Sequence, residues 1–196
     1  MIEITSAYVP GMYIPNKDYC VYELVDNGVD ILINNENSHL YETKLITLNI
    51  DTEGIVTVTD SAGALPIREA EDAPGCTVAE LCVSRLKAGT KFEEGVKSAG
   101  LNGVGSSAIN FLSEYFYVRI SKLGKLYGLD FEQGLVVNQL YEMEDEDNEY
   151  PDNGTLIMLR PDDEIWQDIG NTLDIPAINK RLKQLAYLNP GLTINF

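Results

Sequence analysis

The sequence predicts an α+β fold: a two-layer sandwich in which a mixed, mostly antiparallel sheet carries helices on one face. Three observations predict it. Strand-like segments follow one another directly at Tyr115–Ser121, Lys125–Phe131 and Leu135–Tyr141, and such neighbours pair antiparallel. Helical patterns fall in four separated segments, which suits helices packed on one side of a sheet. The 196 residues with 44% hydrophobic content suffice for one substantial core. No repeat or linker interrupts them, so residues 1–196 read as one domain.

Taken in order, Lys17–Asn35 has helical spacing and ends in the loop signal Asn-Glu-Asn-Ser. Lys44–Ile50 and Ile55–Thr59 are rich in β-branched residues, and Asp51-Thr52-Glu53-Gly54 joins them as a hairpin. Asp60–Pro66 is a loop, and Val78–Lys87 is a helix. Ala88–Gly105 carries glycines at 89, 95, 100, 103 and 105 and reads as a long, mobile connection. A helix over Val104–Glu114 follows, then the three consecutive strands. Glu142–Glu149 is strongly acidic and aperiodic, a solvated loop. Thr155–Leu159 is a strand, Ile175–Ala186 a helix and Leu192–Phe196 a closing strand.

Charge narrows the function. The formal net charge is −17 and the pI about 4.2, so the surface repels phosphate backbones. Cys20, Cys76 and Cys82 include no C-x-x-C pair and cannot close a disulfide framework. His39 is the single histidine, which supplies a zinc site or a Ser-His-Asp triad poorly. No signal-peptide pattern and no apolar run long enough to span a membrane is present. A reduced, cytoplasmic setting follows.

Two constellations stand out. At 100° per residue, Glu23, Asp26, Asn27 and Asp30 share about one third of a helix that is otherwise apolar. Like charges at this spacing repel, and a divalent cation would relieve them. Magnesium takes oxygen ligands such as Asn and Asp, and Glu is a suitable base for a water. An exposed acidic stripe explains the same pattern, and both readings stay open. The second constellation is Gly100-Leu101-Asn102-Gly103-Val104-Gly105, directly before a helix. Glycines allow close backbone approach, and a helix start suits a phosphate chain. The spacing is G-x-x-G-x-G, neither the Rossmann nor the Walker pattern, and a flexible loop with a helix cap fits as well. Lys91 and Lys97 lie just upstream as possible phosphate partners or solvated lysines.

The order of several motifs carries a resemblance. PGMYIP (Pro10–Pro15), VYELVDNGVD (Val21–Asp30), TVTDSAGALP (Thr57–Pro66) and LKAGTKF (Leu86–Phe92) are followed by SAGLNGVGSSAINFLS (Ser98–Ser113), NGTLIMLRPD (Asn153–Asp162) and LAYLNPGLTINF (Leu185–Phe196). Together they resemble the N-terminal ATPase domain of type II topoisomerases, the gyrase B and topoisomerase IV family, of the GHKL group with the Bergerat fold. The resemblance implies ATP and Mg2+ as ligands. It implies that Glu23 activates the attacking water and that Asn27 holds the magnesium and touches the phosphates. It assigns Asp60 and Thr155 to the adenine, and puts Ala64, Pro66 and Asn102 among the nucleotide-binding positions. Lys91, with Gly100, Leu101, Gly103, Val104 and Gly105, matches the ATP lid.

The chain departs from this pattern at the pocket rim. The family's D-x-G-R-G-I-P loop is Asp60-Ser61-Ala62-Gly63-Ala64-Leu65-Pro66 here. The arginine is replaced by Gly63 and its acidic partner by Ile31, so no buried charge is stranded. A second rim arginine aligns with Gly128, and the lid histidine with Asn102. A less basic rim and weaker binding of aminocoumarin-type inhibitors are expected. With no transducer domain after Phe196 and no exchanging N-terminal arm, the expected behaviour is a monomer that binds ATP and hydrolyses it poorly alone. DNA contact would come through other domains, and a breakage-reunion, gyrase A-like subunit would be the holoenzyme partner. A GHKL-fold regulatory module without turnover and an acidic interaction protein are the alternatives.

Overall fold

Alternation of buried and outward residues sets the sheet. In the strands Leu45–Ile50 (β3) and Val56–Asp60 (β4), Ile46, Leu48, Val56, Val58 and Asp60 turn inward. The computed structural model describes residues 2–6, 9–34, 36–61, 64–85, 105–144, 153–166 and 172–196. Two short hairpins stand apart from the main sheet: Ile2–Ser6 (β1) with Val9–Ile14 (β2), and Glu69–Ala70 (β5) with Ala73–Thr77 (β6). The helices are Asp18–Val29 (α1), Val78–Ser84 (α2), Gly105–Phe111 (α3) and Ile175–Leu188 (α4). The remaining strands are Ser113–Lys122 (β7), Lys125–Glu132 (β8), Leu135–Met143 (β9), Gly154–Pro161 (β10) and Thr193–Asn195 (β11).

The main sheet has seven strands in the order β11-β3-β4-β10-β7-β8-β9. β11 joins β3 in parallel and every other pairing is antiparallel. This is the mixed, mostly antiparallel sheet that the sequence predicts. Its hairpins follow from turn chemistry. Asp51 accepts backbone N–H groups of Glu53 and Ile55 at 2.8 and 2.9 Å, and Gly54 takes a φ of 80°. Leu123-Gly124 and Gln133-Gly134 each hold two successive positive φ angles, which match the twist of a two-residue hairpin.

The helices lie on one face. Val21, Leu24 and Val25 of α1, Ala79 and Val83 of α2, Ala108 and Ile109 of α3, and Ile178 and Leu182 of α4 bury themselves against Ile46, Val58, Phe116, Val118, Leu129, Phe131 and Leu159 of the sheet. Thr77 caps α2 by accepting the Glu80 N–H at 3.2 Å, and Asp174 caps α4 through Ala177 N–H at 2.9 Å. Trp166 is fully buried and donates its indole N–H to the Leu112 carbonyl at 3.3 Å.

Several expectations are corrected here. The first helix does not run to Asn35 as α-helix; Asp30–Asn34 is a wider π-helical turn. A 3-10 turn over Glu36–Leu40 replaces part of the expected loop. Glu142 belongs to β9 rather than to an acidic loop. The second helix ends at Ser84 and the third begins at Gly105. The glycine-rich connection lies outside the described residues, apart from Gly105.

Candidate active site

Helix α1 turns Gly28 to the sheet at close range. A Cβ built there would meet Ile46 Cδ1 at 3.0 Å and Asp60 Cβ at 3.8 Å. The helix therefore settles directly over the end of β4. Asp60 is almost fully buried there. Its cross-strand partner on β10 is Thr155, also buried, so two residues distant in sequence stand side by side on the helix-facing side. The Thr155 hydroxyl accepts the Leu65 N–H at 3.4 Å. That bond folds the loop holding Ala64 and Pro66 back over the pair. The Pro66 carbonyl is fixed by Ala79 N–H of α2 at 2.9 Å.

Glu23 and Asn27 lie one turn apart on α1 and both meet the start of α3. Asn27 donates its amide N–H to the Ser106 hydroxyl at 2.9 Å. This orients the amide so that its oxygen is left for a hard cation. Gly105 stands against Glu23 so closely that any Cβ would overlap the carboxylate. Burial pushes the Glu23 carboxyl above its ordinary 4.5; a hydrogen bond from Tyr19 draws it back, and the charges of Asp26 and Asp30 add to the rise. Burial and the Glu23 charge raise the Tyr19 phenol in turn, so it stays protonated and acts as donor.

The stripe of three carboxylates and an amide is not one cluster. Asp26 turns to α4, where it accepts from Arg181 at 2.7 Å. Among the described residues, no group of three or more His, Cys, Asp or Glu side chains is placed to hold a metal ion. A magnesium site at Asn27 remains compatible, because this ion keeps several waters and takes few protein ligands when it binds with a phosphate substrate.

No family model matches the sequence, but individual proteins do. DNA gyrase B of Synechocystis sp. is 36% identical over 194 residues, 95% of this chain and 17% of that protein. DNA gyrase B of Helicobacter pylori strain J99 is 34% identical over 196 residues, 95% of this chain and 24% of that protein. Over 95% of its length the chain is a homologue of DNA gyrase B. It spans 17% to 24% of the length of these two relatives. Its fold is also that of the 43K ATPase domain of Thermus thermophilus gyrase B, solved with an aminocoumarin: TM-score 0.69 at 24% identity, covering 90% of this chain and 42% of that one.

As a gyrase B-type ATPase fold, the chain brings Glu23, Asn27, Asp60, Ala64, Pro66, Thr155 and Gly105 to one end of the sheet. Lys91, Gly100, Leu101, Asn102, Gly103 and Val104 lie outside the described residues, as do Ala62 and Gly63. Ile31 packs against the core. At Gly128 a Cβ would run into Tyr141 and Met143, on the side of the sheet opposite Leu129 and Phe131. A cation that reaches the loop is Lys122, whose ammonium donates to the Ala64 carbonyl at 3.3 Å. Lys122, Ser106 and Tyr19 were missed by sequence reasoning. Tyr19 alone had a usable signal, its place four residues before Glu23 on the same helix face.

Proposed function

We propose that the chain is the ATP-binding and ATP-hydrolysing domain of a gyrase B-like type II DNA topoisomerase. The Asp60–Thr155 pair beneath Gly28 is the observation that carries this, because it sets a buried acceptor and a hydroxyl beside the helix that bears Glu23 and Asn27. Asp60 accepts the adenine amino group, and Thr155 supports it. Asn27 offers an amide oxygen to magnesium, which when bound screens the phosphate charge. Glu23 takes the proton of the attacking water as its oxygen bonds to the γ-phosphorus and ADP leaves. A carboxyl held above its ordinary value suits that task near neutral pH.

In this proposal the segment holding Lys91 and Gly100–Gly105 closes over the phosphates, and residues 1–196 form one monomeric domain of a longer cytoplasmic protein. Strand passage and DNA contact then belong to other domains and to a gyrase A-like partner. The test is ATP hydrolysis by wild-type protein and by Glu23→Ala, with binding of ATP–Mg2+ followed by calorimetry. Loss of turnover by at least about 100-fold with binding retained is expected. Equal rates would reject Glu23 as the base, and binding without turnover in the wild type would leave a nucleotide-binding module.

A further inference from the structure

We infer that Arg181 on α4 is a positioning residue for Glu23, acting through Asp26; the inference rests on Glu23 being the base. Helix α1 is gripped from two sides. On the α3 side, Asn27 is bonded to Ser106 and Glu23 is pressed against Gly105. On the α4 side, Arg181 meets Asp26 at 2.7 Å and its guanidinium lies 5.7 Å from the centre of the Tyr22 ring. Asp26 sits three residues after Glu23 and directly before Asn27. A rotation of α1 that releases Asp26 therefore moves both chemical groups. On the Gly105 side the carboxylate already occupies the place of a Cβ, so it has no room to move that way.

The contact suits positioning better than stabilisation. Its side chains are 43% and 38% exposed, a setting in which ion pairs add little stability. It is single-pointed, since Asp26 Oδ1 and Arg181 Nε are buried without partners. Helix α4 itself is anchored by only two buried residues, Ile178 and Leu182. A second link ties the two helices at their starts, where Asp18 accepts the backbone N–H of the α4 cap residue Asp174 at 2.9 Å; Arg181 is the polar contact of α4 that falls beside Glu23 and Asn27.

The test compares wild type, Arg181→Gln, Arg181→Lys, Asp26→Asn, the Arg181→Gln/Asp26→Asn double variant and Glu23→Gln. Expected for Arg181→Gln is a fall in kcat of about tenfold with ATP–Mg2+ affinity within about twofold and a melting temperature within about 2 °C. Arg181→Lys recovers part of the rate, and the double variant loses no more than either single one. Full turnover in Arg181→Gln, parallel loss of kcat and affinity, or additive losses would overturn the inference while leaving Glu23 as the base. Wild-type turnover in Glu23→Gln would overturn the base assignment and the inference with it.

Discussion

Glu23 sits under opposed influences: burial and two neighbouring carboxylates favour its protonated form, and Tyr19 favours the ionised one. The consequence for stability has a definite sign. A carboxyl whose folded pKa is raised binds its proton more tightly in the folded chain, so the ionised form costs stability above that pKa. The cost fades as pH falls through the raised value towards the ordinary 4.5. Glu23→Gln should therefore raise the melting temperature of the nucleotide-free chain at pH 7.5 by about 2 °C, and the gain should shrink by pH 5. Thermal melts at the two pH values check this; a gain that grows on acidification contradicts it. At this scale the sequence was informative where one helix carried the pattern. Glu23 and Asn27 could be found from helical spacing. Ser106 and Lys122 could not, because their bonds cross 79 and 58 residues and only the folded sheet brings them near.

At the scale of elements, the open side of the sheet has its own polar anchor. Asp130 of β8 lies between the core residues Leu129 and Phe131 but points the other way. It accepts from Arg119 at 2.6 Å, Asn138 at 2.9 Å and the Tyr141 hydroxyl at 3.0 Å. Burial pushes its carboxyl up, but the bonds from Asn138, Arg119 and Tyr141 outweigh this and hold it below its ordinary 3.8. A depressed carboxyl stabilises the fold above its unfolded value and loses that contribution only as pH falls further, so the cluster holds β7, β8 and β9 together throughout the neutral range. Asp130→Ala strands Arg119 and should cost about 2 kcal/mol, read as a lower urea midpoint with unchanged slope. The hairpins were legible because Asp51, Gly54, Gly124 and Gly134 announce their turns. The strands β1 and β2 went unread because Pro10 and Gly11 interrupt the alternation and look like a loop. The π-helical turn left no sequence signal, since its spacing differs from α-helix by less than one residue per turn.

For the whole molecule, ligand binding and charge give separate expectations. If the nucleotide site is as proposed, ATP–Mg2+ at 100 times its dissociation constant should add about 2.7 kcal/mol to folding stability. Differential scanning calorimetry at stepped nucleotide concentrations reads this as a rising melting temperature, and a flat response contradicts the site. With a net charge of −17, the chain alone should show no shift of duplex DNA in a gel at physiological salt. No described helix is long and apolar enough to cross a membrane. The fold class was legible because consecutive strands and scattered helices leave few alternatives. The sheet order was not, because β10 inserts between β4 and β7, and only long-range pairing decides that.

The two glycines that seat α1 make the site unequal in its tolerance of change. At Gly105 the Glu23 carboxylate fills the place of a Cβ, whereas at Gly28 a Cβ would meet Ile46 Cδ1 at 3.0 Å, a contact that a small shift of that side chain relieves. Across the pocket, Lys122 reaches a backbone carbonyl that a residue of any type at position 64 would offer. The mouth of the pocket therefore tolerates a change of side chain at position 64, whereas the place beside Glu23 tolerates none at position 105. A randomised library selected for folding and nucleotide capture would return varied residues at position 64, small residues at 28 and glycine at 105.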